Sequence, residues 1–106
     1  MSKSGPDWQQ ISLLYRSLFQ YEPTSVVLLN WAVALSEIGD VEEAYIKLEE
    51  LRDELKNYQP WYAAYAHILV KLGRNHDAIP IYQKAIKLAS NEASANYLKR
   101  QIQSLY

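Results

Sequence analysis

Apolar residues in this chain return every three or four positions for almost its whole length, with polar residues filling the opposite faces. That period is helical, and capping residues divide it into six segments. The first opens at Asp7, an N-cap with Gln10 three residues on, and runs to about Tyr21, before Pro23. Its apolar positions are Ile11, Leu14, Tyr15 and Leu18. The second runs from Ser25 to Gly39, and the third from a cap at Asp40 (with Glu43) to about Lys56. The fourth carries Pro60 in its first turn, where proline is tolerated, and ends at Gly73. The fifth spans about Asn75 to Ala89, and Pro80 inside it predicts a mild kink or a slightly later start. The sixth, about Asn91 to Leu105, sets Ala95, Leu98, Ile102 and Leu105 on one stripe. Every loop is short, so consecutive helices must run antiparallel.

The pattern also repeats. The interval from Gly39 to Gly73 is its period, and in the same register Trp31 pairs with Tyr65, Ala32 with Ala66 and Leu35 with Leu69. Beyond the glycines, Ala44 pairs with Ala78, Leu48 with Tyr82 and Leu51 with Ala85. The alanines fall where two helices would cross closely, the large residues fill the space around them, and each glycine supplies a left-handed helix end. In its period of about 34 residues and its order of small and large side chains the chain resembles the tetratricopeptide repeat (TPR), a helix–turn–helix unit that stacks into a superhelix.

The expected fold is therefore an all-α, TPR-like antiparallel helical repeat (an α-α superhelix). Residues 1–6 read as a leader, 7–21 as a helix, 25–57 and 59–90 as two repeats, and 91–105 as a capping helix. The outer face of that last helix is polar (Asn96, Lys99, Arg100, Gln103), as a solenoid end needs. The first helix aligns with the second half of a preceding unit. Ile11, Tyr15, Leu18 and Pro23 take the places of Ala44, Leu48, Leu51 and Lys56 after a one-residue slip. It lacks a first-half partner, which suggests either a chain cut from something longer or a covering domain.

Composition removes several function classes. With no cysteine, disulfides, zinc–cysteine sites and thiol chemistry are excluded. No apolar run approaches the roughly 18 residues of a membrane helix and the start is not a signal peptide, so a cytoplasmic location is expected. His67 and His76 have no metal-ligand spacing, the glutamate pairs 42–43 and 49–50 read as solvated faces, and no glycine-rich phosphate loop is present. No enzyme activity, metal or cofactor is expected. The net charge of -1 conceals an asymmetry. Residues 1–53 hold four Lys/Arg against nine Asp/Glu, and residues 54–106 seven against three. Two solvated faces or a polarised surface that orients a partner would each produce it. The basic residues are too dispersed for a nucleic-acid footprint.

The candidate site is the face that the first helix of each pair turns inward. It comprises Val26, Leu29, Asn30, Val33 and Glu37, then Ala63, Ala64, His67, Val70 and Lys71. The set is mainly apolar, and only Asn30 and Lys71 suit a peptide-carboxylate clamp. It forms either an open protein-binding groove or a surface the helices bury by curling inward.

Finally, four strings resemble a known family: DWQQI with Leu14 and Tyr15, PTSVVLLNWAVA, LGRNHDAIPIYQKAIKLA and NEASANYLKRQI. Together, over residues 7–105, they resemble the C-terminal TPR-like extension of a group of extracytoplasmic-function (ECF) sigma factors. Trp31 departs from that pattern, in which a basic residue usually follows the asparagine. The resemblance implies an accessory module in bacterial transcription initiation, with promoter-recognising domains N-terminal to it. Its implied partners are the sigma-factor N-terminal domains, the RNA polymerase core or a regulatory protein, with no direct nucleic-acid binding by this fragment and no membrane. A stand-alone TPR adaptor for a peptide or partner protein is the alternative.

Overall fold

The computed structural model describes residues 5–106 and contains six α-helices, with no strand among the described residues. They are α1 (Trp8–Tyr21), α2 (Ser25–Glu37), α3 (Val41–Glu50), α4 (Gln59–Lys71), α5 (Asn75–Lys87) and α6 (Glu92–Gln103). The chain divides into two compact units, one ending at Glu54 and the other beginning at Leu55. In the first, α2 packs on both α1 and α3; in the second, α5 packs on both α4 and α6. The repeated pairs are α2–α3 and α4–α5, whose members are called leading (α2, α4) and trailing (α3, α5) below.

The spacing predicted the close crossings, and the alanines occupy them. Ala32 and Ala44 in the first unit, and Ala66 and Ala78 in the second, are all 0% exposed. Leu48 and Leu51 close the first core around them, while Trp61, Tyr65, Ile68, Leu69 and Tyr82 fill the second. Each leading helix ends the same way. Gly39 has φ +96° and Gly73 φ +79°, the left-handed conformation that glycine adopts without a Cβ penalty. The N–H of Asp40 bonds back to the Leu35 carbonyl at 2.9 Å, and that of Arg74 to the Leu69 carbonyl at 2.8 Å. These six-to-one bonds are Schellman turns, which satisfy carbonyls the helix end would leave bare.

Those turns correct one expectation. Asp40 makes no side-chain cap to α3, and neither does Arg74 to α5. Both backbones are already committed to the preceding turn, at ψ near 60°, short of the extended conformation a side-chain cap requires. Helices α1, α2 and α6 do carry side-chain caps. Asp7 accepts from the Gln10 N–H at 3.2 Å, Thr24 from Val27 at 3.2 Å and Asn91 from Ser94 at 2.8 Å.

Three further differences have physical causes. Helix α3 stops at Glu50, short of Lys56, and the chain continues in turns closed by bonds such as Tyr58 N–H to the Leu55 carbonyl. Continued helix would set Glu49 against Asp53 and Glu50 against Glu54, like charges at i,i+4, beside an unfavourable dipole end. Helix α5 starts at Asn75 with Pro80 inside it, so proline does not delay its start. Proline there cannot bond the His76 carbonyl, but both residues are exposed and water can take its place. In α1, Leu14 and Leu18 are exposed; the buried and half-buried face is Ile11, Ser12, Tyr15 and Phe19, with Phe19 5.9 Å from the Trp31 ring.

Candidate functional site

The residues expected to line an inward face fall into distinct environments. On α2, Val26 is exposed, and Asn30, Val33 and Glu37 are half-buried. Leu29 is a correction, because at 3% exposure it belongs to the core and not to an open surface. The cause lies in α2 itself, which is apolar around most of its circumference and packs on two neighbours, so its buried set extends over Val27, Leu29, Ala32, Ala34, Leu35 and Ser36. On α4, Ala63, Ala64, His67 and Val70 are half-buried and Lys71 is exposed.

Of that set, Ala63 lines a cleft. In the second unit, Gln59 and Ala63 of α4 face Ala93, Ser94, Tyr97 and Leu98 of α6 across a cleft of about 330 Å³. Alanines at 63 and 93 leave the space; Leu98, 3% exposed, is buried beside it, and Tyr97, 53% exposed, stands at its edge. The lining is apolar with an amide, a hydroxyl and a phenol, and Tyr97 is its sole titratable group. Such a lining can bind and orient an apolar side chain with a few directional contacts, while offering no acid–base pair. The volume sits at the small end of ligand pockets, suited to one or two side chains of a longer partner.

Sequence reasoning missed Tyr97, though a signal existed. Tyr97 follows Ala63 by one repeat period, as Ala63 follows Leu29, so α6 has the register of a third leading helix as well as its predicted polar outer face. The first unit holds a different cleft of about 560 Å³, lined by Ser12, Leu13 and Arg16 of α1, Trp31, Leu35 and Ile38 around α2, and Asp40 and Glu43. Lys47 sits 4.3 Å above the Trp31 ring and 3.5 Å from Glu43, which places mixed charge around an aromatic wall.

Burial, and secondarily the nearby Tyr97 phenol, push the Tyr82 hydroxyl above the ordinary tyrosine range. A raised folded-state value favours the neutral phenol. The stability this represents is present below the unfolded value of about 10 and is lost as pH rises through the folded one. Tyr82→Phe should accordingly flatten the alkaline loss of stability above about pH 10 in urea melts at stepped pH. An unchanged alkaline slope would place that loss on other groups.

Two comparisons with known proteins bear on this chain. Residues 61–92 match the family model described as Tetratricopeptide repeat, which takes in α4 from its third residue, all of α5 and the first residue of α6. An uncharacterized protein of Rhizobium meliloti (strain 1021) is 36% identical over 99 residues, covering 93% of this chain and 23% of that protein. The chain thus spans less than a quarter of that relative's length. With α4–α5 matched as a repeat and α2–α3 preceding it by one period, the fold is all-helical and TPR-like, the architecture of a protein-interaction domain.

Proposed function

We propose that this chain is a protein-interaction module that seats side chains of a partner segment in the cleft between α4 and α6. The observation that carries the reading is the pairing of a small leading-helix residue, Ala63, with a half-exposed Tyr97 in the same register, around a mainly apolar hollow. Tyrosine at such a position gives large amphipathic contact area at small entropic cost, the usual make-up of a binding hot spot. His67, Val70 and Lys71 extend the proposed surface along α4. In the first unit, Val26, Asn30, Val33 and Glu37 present a surface of the same type on α2.

The experiment starts from a peptide selected on this chain from a random displayed library. Tyr97→Ala should weaken that peptide by about 2 kcal/mol, and Ala63→Glu, which fills the hollow with charge, by at least as much. Both positions are solvent-accessible, so melting temperatures should stay near that of the parent. Equal affinity for parent and variants would move the docking surface elsewhere.

On the finer question of which process the module serves, we favour transcription initiation of the ECF sigma type. The support is the order and spacing of the four strings across residues 7–105. The module would then dock on sigma-factor N-terminal domains, RNA polymerase core or a regulatory protein. The full-length Rhizobium meliloti relative should co-elute with core RNA polymerase if this holds. Failure to do so would remove the sigma reading and leave the interaction module intact.

A further inference from the structure

The two repeats carry different charges at the same turn. In the second, Arg74 and Asp77 form an ion pair where α5 begins, Nε to Oδ2 at 2.9 Å. One period earlier those places hold Asp40 and Glu43, two carboxylates at the start of α3. The first repeat thus keeps the acceptor of that pair and has an acid in place of its guanidinium. Glu43 meets Lys47 at 3.5 Å, a long contact, and the Asp40 carboxylate has no hydrogen-bond or ion-pair partner among the described residues.

Both carboxylates line the first-unit cleft of about 560 Å³. Acids at a helix start are ordinary by themselves, since they suit the dipole. The α1 wall of the cleft adds an independent observation. Ser12 lines it and is 6% exposed, yet its hydroxyl makes no hydrogen bond among the described residues. A helical serine commonly returns that bond to a carbonyl of the preceding turn, as Ser36 does to Val33 and Ser104 to Gln101, each at 2.7 Å. No sealed side-chain oxygen among the described residues lacks a partner, so the Ser12 oxygen opens onto the cleft. Trp31 supplies an aromatic wall. It stands where Tyr65 stands in the second repeat, but Tyr65 is stacked on Trp61, and the place of Trp61 is held by the smaller Val27, which leaves the indole half-buried.

We propose that this cleft seats an arginine side chain of a partner protein. The visiting guanidinium takes the role that Arg74 has in the second repeat and donates to Asp40 and Glu43, while its methylene stem lies along Trp31 and Ile38. The α1 wall is left for the visitor's backbone: the Ser12 hydroxyl can accept from an N–H, and the Arg16 guanidinium can donate to a carbonyl. Arginine suits the cleft better than lysine, because a planar fork of donors can reach two carboxylates and stack on the indole. The wider field has the matching sign, with four Lys/Arg against nine Asp/Glu over residues 1–53. This site lies in the other unit from the α4–α6 cleft and does not rest on that reading.

The probe is N-acetyl-arginine amide, titrated at low salt into the isotope-labelled 106-residue chain and followed by backbone amide shifts. Saturable binding in the millimolar range is expected, with the largest shifts on Ser12, Trp31, Asp40 and Glu43. N-acetyl-citrulline amide, the same shape without the charge, should leave those amides unmoved. Asp40→Asn keeps a residue suited to a helix start and Glu43→Gln keeps the side-chain length, so both variants should melt with the parent. Each should weaken the probe by about threefold or more. Glu50→Gln, at an exposed acid that does not line the cleft, should change nothing. Absence of saturable binding overturns the proposal, as does an equal response to the citrulline probe or equal affinity of parent and Asp40→Asn. An equal loss with Glu50→Gln would overturn it as well, assigning the binding to the diffuse negative charge of the first half.

Discussion

Trp61→Ala should cost about 3–5 kcal/mol, the largest loss expected of any single truncation in this chain. The side chain is 0% exposed, stacked on Tyr65 with ring centroids 4.7 Å apart and met edge-on by Tyr62 at 4.9 Å. Removal therefore forfeits the transfer energy of the largest side chain in the unit, leaves a cavity, and breaks two aromatic contacts. Helix α4 would also lose its first-turn anchor, since Trp61 directly follows Pro60. Far-ultraviolet circular dichroism during heating should register a midpoint lower by on the order of 15 °C or more. A loss under about 1 kcal/mol would mean that the tryptophan lies on the surface and that α4 is rotated from its assigned face.

The second large effect separates two neighbours on α2. Leu29→Asp should cost roughly 3–5 kcal/mol, because it removes a buried side chain and introduces a carboxylate into a site 3% exposed. Val26→Asp, at a position 42% exposed, should cost less than about 1 kcal/mol. Burial would raise the introduced carboxyl's folded-state value, so its penalty is full above that value and shrinks as pH falls toward the unfolded value of about 4. Urea melts at neutral and acidic pH test both statements. If Leu29→Asp melts like Val26→Asp, then α2 does open that residue to solvent and the inward face extends over it.

This contrast also marks where sequence patterning stopped being informative. The alanines at 32, 44, 66 and 78 and the glycines at 39 and 73 were legible because spacing and side-chain size both constrain them: a close crossing tolerates only small residues, and a left-handed helix end favours glycine. Leu29 was not legible. In a helix apolar nearly all round, a leucine toward the core and one toward an open face look alike, and the neighbours decide. The cleft was hidden for another reason. At the places of Tyr65 and Ala66, α6 carries Lys99 and Arg100, both exposed, so the most diagnostic residues of a leading helix are gone. Tyr97, at the place of Ala63, and Ile102, at the place of Ile68, are what marks its register. The end of α3 depended on repulsion among Glu49, Glu50, Asp53 and Glu54, to which an apolar-periodicity argument is blind.

The α4–α6 cleft is where, in the function proposed above, this module holds a partner. Backbone amide chemical-shift mapping, with the library-selected peptide titrated into the isotope-labelled chain, tests it directly. The largest perturbations should gather on Gln59, Ala63, Ala93, Ser94 and Tyr97, the lining of one cleft in one unit. Perturbations gathered instead on the charged exposed residues of α3 and α5, such as Glu42, Glu50, Lys84 and Lys87, with the cleft unmoved, would contradict it.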